Sequence, residues 1–451
     1  MNPLYHLGLW LYRLVARLIS PFHTKAALFS KGHSALIYKM KQQITHECPI
    51  VWFHCASLGE FEQGRPIMEG YRLAQPGHKI VVTFFSPSGY EVVKGNPVAD
   101  WIYYLPLDTC RNVRRFLDTV QPVKAIFIKY EFWYNFLRAL KKRGIPTYIV
   151  SAAFRPSQPF FRWYGAVFRR MLRMFTWLFV QDGASESLLL QIGVSNVIVA
   201  GDTRFDRVWK QSHTPCSLPV VEAFCCEVSG GAAWVCIAGS TWPRDEALLL
   251  HLLEAHRQVK LILVPHEVDE DHIESIMKLF APFSPVRYSQ LSGAKKVLHG
   301  AEIVPDGAEK VLKDAGWIPS GVGVLVVDTI GLLSSLYRYG SMAYLGGGFD
   351  HGIHNTLEAA VYGVPVIFGP KYERFNEAVD LVRLGGAYSI RSQQELLAQI
   401  GRWLSEPERR TEAGRVCAAY VARHGGATEQ VLDAILERTD DGCQKSRIDV
   451  G

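Results

Sequence analysis

LGGGFDHGIHNTLEAAVYGVPVIFGP, Leu345–Pro370, joins a strand end, a glycine turn, a capped helix start and a second short apolar run. Met342–Leu345 reads as the end of a buried strand, and Gly346, Gly347 and Gly348 let the backbone turn without side-chain clash. A loop carrying His351 and His354 follows. Asn355 is a good N-cap with Glu358 three residues on, a capping-box variant that opens a helix through about Tyr362. Gly363 ends that helix, Pro365 prevents its return, and Val364–Phe368 reads as the next strand. Strand, turn, helix and strand make one βαβ unit. Such a turn can hold an anion, because free backbone N–H groups and the helix dipole point at the loop. An ordinary crossover with a glycine-rich turn has the same pattern, and the spacing is not GxGxxG, so the ligand stays open.

Outward from this stretch the alternation continues. Trp234–Ala238, Lys260–Val264, Gly323–Val327 and Ala387–Ile390 are further short strands, closed by helices over Gln393–Leu404 and Glu408–Glu437. Toward the amino end a second set comprises Ile50–His54, Ile80–Phe84, Trp101–Leu105, Ala125–Ile128, Thr147–Val150, Leu178–Val180 and Val197–Val199. Strands alternating with helical segments predict two α/β, doubly wound (Rossmann-like) domains of mostly parallel sheet, with strand ends facing a central cleft. Pro215, Pro219 and Gly230-Gly231 break the rhythm, so 211–231 reads as a linker between domains at 23–210 and 232–437, with a polar tail at 438–451. At 451 residues the chain is too long for one ordinary core, which agrees.

The net charge of +6 favours an acidic substrate or an anionic membrane surface and is too diffuse to argue nucleic acid. Nine cysteines include the adjacent Cys225 and Cys226 but no CxxC and no zinc spacing, which fits reduced thiols. Residues 1–22 form an apolar, aromatic segment with Arg13 and Arg17 inside the run, unlike a signal peptide. A helix over Leu4–Ile19 is about 24 Å long, short of a hydrocarbon core of about 30 Å. It is therefore expected to lie in one leaflet with its arginines at the phosphates, a helix packed on the protein itself being the alternative.

Several clusters fall at strand ends. In WFHCASLGEFEQGRP, Trp52–Pro66, Glu60 sits at the start of a helix, where it either favours the dipole or accepts a proton from a hydroxyl nucleophile. In IFIKYEFWYN, Ile126–Asn135, Lys129 and Glu131 follow a buried strand beside Trp133 and Tyr134; a salt-bridged helix start and a sugar platform fit equally. FFRWYGAVFRRMLRMF, Phe160–Phe175, reads as one amphipathic helix with Arg162, Arg169 and Arg173 clustered. Gly201–Asp206 contributes Arg204, and Gly239-Ser240-Thr241 and Asp328–Gly331 end two more strands.

Taken together, ASLGE (56–60), YEFWYN (130–135), GDTRFD (201–206), GST (239–241), DTIG (328–331), HNTLEAA and VIFGP resemble, in order and spacing, the 3-deoxy-D-manno-octulosonic acid (Kdo) transferases, from about residue 4 to 425. The resemblance implies a GT-B fold and an inverting, metal-independent transfer of Kdo from CMP-Kdo to a lipid A precursor such as lipid IVA. It implies no cofactor and no obligate protein partner, at the cytoplasmic face of the inner membrane of a Gram-negative cell. By the same resemblance Glu60 is the general base, and Glu131 and Arg204 stabilise the transition state. The donor falls to Pro265 and His266, to Ile330, Gly331 and Leu332, and to Asn355, Thr356, Leu357 and Glu358. The chain departs from its relatives where VPRHPER becomes Val264-Pro265-His266-Glu267-Val268, where lysine becomes Arg204, and where WPN becomes Trp133-Tyr134-Asn135. A GT-B lipid glycosyltransferase using a UDP-sugar is the second reading. Glu60 and the amino-terminal helix disfavour an epimerase, a sugar-binding protein would want a secretory signal, and an NAD enzyme would want GxGxxG.

Overall fold

The computed structural model describes residues 3–21, 23–33, 35–226, 234–292 and 321–437. They form two compact units, one running to Arg207 and resuming at His424, the other covering Val208–Arg423.

Unit one is built on seven strands: β1 (Ile50–Cys55), β2 (Lys79–Phe84), β3 (Trp101–Tyr104), β4 (Pro122–Ile128), β5 (Thr147–Ala152), β6 (Trp177–Val180) and β7 (Val197–Val199). Their order is β3-β2-β1-β4-β5-β6-β7, every pair parallel. Strand β1 is buried along its whole length, as a strand covered on both faces must be, and its apolar run IVWFHC admits one polar residue, His54. The order reverses direction beside β1, between β1 and β4, and that switch point is where α/β sheets place their sites.

Unit two repeats the scheme with β8 (Trp234–Thr241), β9 (Val259–Pro265), β10 (Val286–Arg287), β11 (Val324–Val326), β12 (Met342–Leu345), β13 (Val366–Phe368) and β14 (Ala387–Ser389). The order is β10-β11-β9-β8-β12-β13-β14, again parallel throughout. Strand β10 has only two residues, too short for any periodicity to announce it.

Three sequence expectations are corrected. The last helix, Ala427–Leu436, belongs to unit one: Asp206 accepts from the N–H groups of Gly426 and Thr428, both at 2.6 Å, and Lys124 donates to the Ile435 carbonyl. It packs on the helix Leu58–Ala74 so closely that a Cβ on Gly70 would lie 2.3 Å from Leu432. Nothing local tells a terminal amphipathic helix which core it will join. The supposed linker is structured: Thr203–His213 and Pro219–Cys226 are helices, with Leu218, Val220, Val221 and Phe224 buried. Residues 227–231 of that linker and the tail 438–451 lie outside the described residues. The single helix expected over Phe160–Phe175 is a 3-10 turn, Pro159–Phe161, and a helix, Ala166–Leu172. Gly165 sits where a Cβ would meet the Pro159 carbonyl at 2.2 Å, and Arg169 donates to the Phe160 and Arg162 carbonyls, so Arg169 fastens the bend. Pro3–Ile19 is a helix, as expected, and no helix among the described residues is long and apolar enough to cross a membrane.

Candidate active site

The carboxyl end of β1 turns into Ala56-Ser57, and Ser57 caps the helix Leu58–Ala74 by accepting from the Glu60 N–H. That fixes Glu60 in the first turn, its carboxylate folded back onto the Ala56 N–H. Burial and the charge of Glu131 push Glu60 up to about 7; the Ala56 hydrogen bond, His54 and Lys129 pull the other way without cancelling them. A carboxyl group balanced there can take a proton from a hydroxyl near neutral pH.

Glu131 comes from the loop after β4, the strand hydrogen-bonded beside β1. Its Oε2 lies 2.9 Å from His54 Nε2 and accepts from the Trp133 indole at 2.6 Å. Trp133 also rests on Phe85, ring centroids 5.0 Å apart, so its N–H is committed to the protein. Lys129, left-handed at φ 68°, re-aims the chain into this loop. The loop is held from below by Asp108, fully buried, which accepts from the N–H groups of Asn135 and Phe136 at 2.9 Å and from the Tyr5 hydroxyl. Burial pushes Asp108 up to about 6 against the pull of these hydrogen bonds.

Arg204 lies past the end of β7, its Nε 2.8 Å from Asp202 Oδ2. Asp202 also receives Gln63 at 3.2 Å and Gln181 at 3.0 Å. The charges of Arg204 and Asp202 act on Tyr130, next to Glu131. Glu131 thus lies close enough for its charge to act on Glu60, and Arg204, anchored by Asp202, lies close enough for its charge to act on Tyr130, next to Glu131. Sequence reasoning missed Asp108, Asp202 and His54, whose importance arises from partners far along the chain; only the polar residue inside an apolar strand marked His54.

In unit two the glycine turn has a packing explanation. A Cβ on Gly346 would lie 2.3 Å from the Ser240 carbonyl, and one on Gly348 would lie 2.6 Å from the Gly369 nitrogen. Gly347 is left-handed, φ 82°. The helix after it is shorter than expected, Leu357–Ala360, so little dipole accumulates. The capping box is also replaced: Asn355 Oδ1 accepts from the Leu357 N–H at 3.1 Å, and its amide donates to Glu358 at 3.2 Å. Thr356 precedes that turn, fully buried. Pro265 ends β9, and His266 stacks on Trp242 with centroids 4.7 Å apart and lies 4.8 Å from His354. Burial and His266 lower the affinity of His354 for a proton. Ile330, Gly331 and Leu332 lead into the helix Leu333–Leu336, where Leu333 lies over Gly239 of β8. Asp328 is buried and engaged by Ser289.

Two parallel-sheet units of this kind are shared with glycosyltransferases of GT-B architecture and with sugar-nucleotide epimerases. MurG from Acinetobacter baumannii superposes with a TM-score of 0.51 at 14% identity, covering 86% of this chain and 99% of that one. The UDP-GlcNAc 2-epimerase from Neisseria meningitidis gives 0.58 at 14% identity over 86% and 100%. Identities so low speak for the fold alone. The sequence separates the two: residues 30–207 match the family described as 3-Deoxy-D-manno-octulosonic-acid transferase (kdotransferase). The 3-deoxy-D-manno-octulosonic acid transferase of Bordetella pertussis is 27% identical over 411 residues, 85% of this chain and 86% of that protein. That of Aquifex aeolicus is 25% identical over 366 residues, 79% and 86%. The chain is a glycosyltransferase with two doubly wound parallel sheets. Over residues 30–207 it is similar to the 3-deoxy-D-manno-octulosonic acid transferase family, and its likeness to the transferases of that name runs along most of its length.

Proposed function

We propose that this enzyme transfers Kdo from CMP-Kdo to a hydroxyl of a lipid A precursor such as lipid IVA, with inversion and without a metal ion, in lipopolysaccharide biosynthesis. The observation that carries the proposal is Glu60, a carboxyl held near neutrality at the switch point of a sheet whose residues match the transferase family. In this reading the acceptor oxygen attacks the anomeric carbon as its proton passes to Glu60. The bond from that carbon to the CMP phosphate oxygen breaks, and CMP leaves with the electron pair. Glu131 and Arg204 serve the charge that develops at the sugar. On the donor side, Pro265 and His266, Ile330–Leu332 and Asn355–Glu358 bind CMP-Kdo, Glu358 holding ribose hydroxyls.

The amino-terminal helix is part of the proposal. Trp10, Leu11, Leu14, Val15, Leu18 and Ile19 are exposed on it, which suits a helix lying in the cytoplasmic leaflet of the inner membrane, while Tyr5 ties it to Asp108. Deleting residues 1–21 is expected to weaken binding to anionic vesicles; unchanged sedimentation with vesicles would remove this part. The catalytic reading is tested with purified protein, CMP-Kdo and lipid IVA in detergent with EDTA, products weighed by mass spectrometry. One or more Kdo increments are expected. Turnover of a UDP-sugar instead would keep the class and discard the donor.

A further inference from the structure

From Phe132 to Gln181 the chain carries nine lysines and arginines and no aspartate or glutamate. Nine exceeds the net charge of +6, so the rest of the chain is net negative. The fold keeps this charge together. The helices Tyr134–Lys142 and Ala166–Leu172 lie side by side, tied where Lys141 donates to the Arg173 carbonyl at 2.7 Å. Arg138, Lys141 and Lys142 are exposed on the first helix, and Arg162, Arg170 and Arg173 are exposed on and around the second. Of the nine, only Arg143 forms an ion pair among the described residues, with Asp118. A surface of one sign, so little paired within the protein, attracts the opposite charge from outside.

Apolar side chains stand in the same surface. Trp163 is 92% exposed, more than any other large apolar side chain among the described residues, and Tyr164 and Val167 are 55% and 41% exposed. The core does not need them, because Phe160, Met171 and Leu172 already fill it from this segment. The bend fastened by Arg169 presents Trp163 and Tyr164 to solvent between the two exposed arginines, Arg162 and Arg170.

We propose that the turn at Trp163-Tyr164 and the basic helices beside it form a docking surface for an anionic lipid bilayer, separate from the amino-terminal helix. Indole and phenol rings settle at the headgroup level, where one end of each is apolar and the other wet. The arginines and lysines around them meet the lipid phosphates. A nucleic acid would also answer the charge, but it wants aromatic faces on which successive bases can stack. Trp163 and Tyr164 instead stand at 87° to each other, centroids 5.6 Å apart, so they offer no common platform. The place of the turn fits an enzyme acting at a bilayer. Phe132 meets Phe160 with centroids 4.8 Å apart, and Tyr134 meets Tyr5 at 6.2 Å. The loop that carries Glu131 therefore runs between this turn and the start of the helix Pro3–Ile19. The inference goes beyond the transfer reading and does not rest on it, since lipid binding is measured without donor or acceptor.

The test is flotation of the full-length protein with vesicles of phosphatidylcholine containing about one third phosphatidylglycerol, against vesicles of phosphatidylcholine alone. Trp163→Ser should weaken binding to the anionic vesicles by about tenfold, and Arg162→Gln with Arg170→Gln by about 30-fold at low salt, the second loss shrinking as salt is added. These side chains are exposed, so thermal melts of the variants should match the wild type. Brominated phosphatidylglycerol locates the ring: it should quench less tryptophan emission in Trp163→Phe than in the wild type, a difference to which Trp10 of the amino-terminal helix contributes nothing. Equal quenching in the two proteins, unchanged flotation of the variants, or equal binding to neutral and anionic vesicles overturns the proposal. So does a loss in the arginine variant of retention on duplex DNA with vesicle binding intact, which would assign the surface to nucleic acid. A wild type inert toward CMP-Kdo would refute the functional reading alone, and flotation would still judge this surface.

Discussion

Replacing Glu60 by glutamine separates its cost to the fold from its use in the reaction. Glutamine keeps the shape and an oxygen for the Ala56 N–H, but it cannot ionise. In the wild type the folded-state value stands at about 7, whereas the unfolded chain has the ordinary 4.5. Between those values the unfolded chain gives up its proton while the folded chain keeps it. Stability is therefore full below about 4.5 and is lost as pH rises through 7. A rise from 4.5 to about 7 is worth at most roughly 3 kcal/mol at about 1.36 kcal/mol per pH unit, less in practice because the side chain is partly exposed. Urea unfolding of both proteins at pH 5 and pH 8 reads the difference: the glutamine variant should gain on the wild type by roughly 2–3 kcal/mol at the higher pH. Transfer should fall by about 10²–10⁴-fold over the same range. Parallel stability curves would sink the reasoning, since they would mean that Glu60 is no more protonated in the fold than out of it. A wild-type acid limb at ordinary carboxylate pH would do the same for the catalytic half.

Three other outcomes are expected. Asp108→Ala orphans the buried N–H groups of Asn135 and Phe136 and should cost about 2–4 kcal/mol by denaturant unfolding, against about 1 kcal/mol for Tyr5→Phe. Gly348→Ala drives a Cβ into the Gly369 backbone and should lower stability by about 3 kcal/mol, while Gly183→Ala, which meets nothing within 4 Å, should be neutral in the same thermal melt. Asp206→Ala removes the acceptor for two N–H groups at the start of the last helix, costing about 1–2 kcal/mol, and limited proteolysis should then trim that helix first.

Most of the fold was legible from local pattern. A buried parallel strand is a short β-branched or aromatic run, and thirteen of the fourteen strands stand where such runs occur, the two-residue β10 being the exception. Helix lengths were less legible. Gly165 splits Phe160–Phe175 because of a backbone contact with Pro159, and the helix after Asn355 stops at Ala360, since neither limit is written in helical periodicity. The site was legible in part. Glu60 and Glu131 declare themselves as charges just beyond apolar strands, and Asp202 and Asp108 sit in plain view in the chain. Their partners do not.

By itself, the amino-acid sequence determined two α/β sheets, the strand ends that carry polar residues, and the family that the chain resembles. These follow from periodicity and from motif order, both of which are local or cumulative along the chain. Only the tertiary structure decided that the last helix returns to the first sheet, that three glycines serve backbone crossings, and that His54 meets Glu131 across 77 positions. That meeting needs β1 and β4 to be neighbours. Strand order is a property of how the whole sheet closes its core, and no stretch of sequence carries it alone.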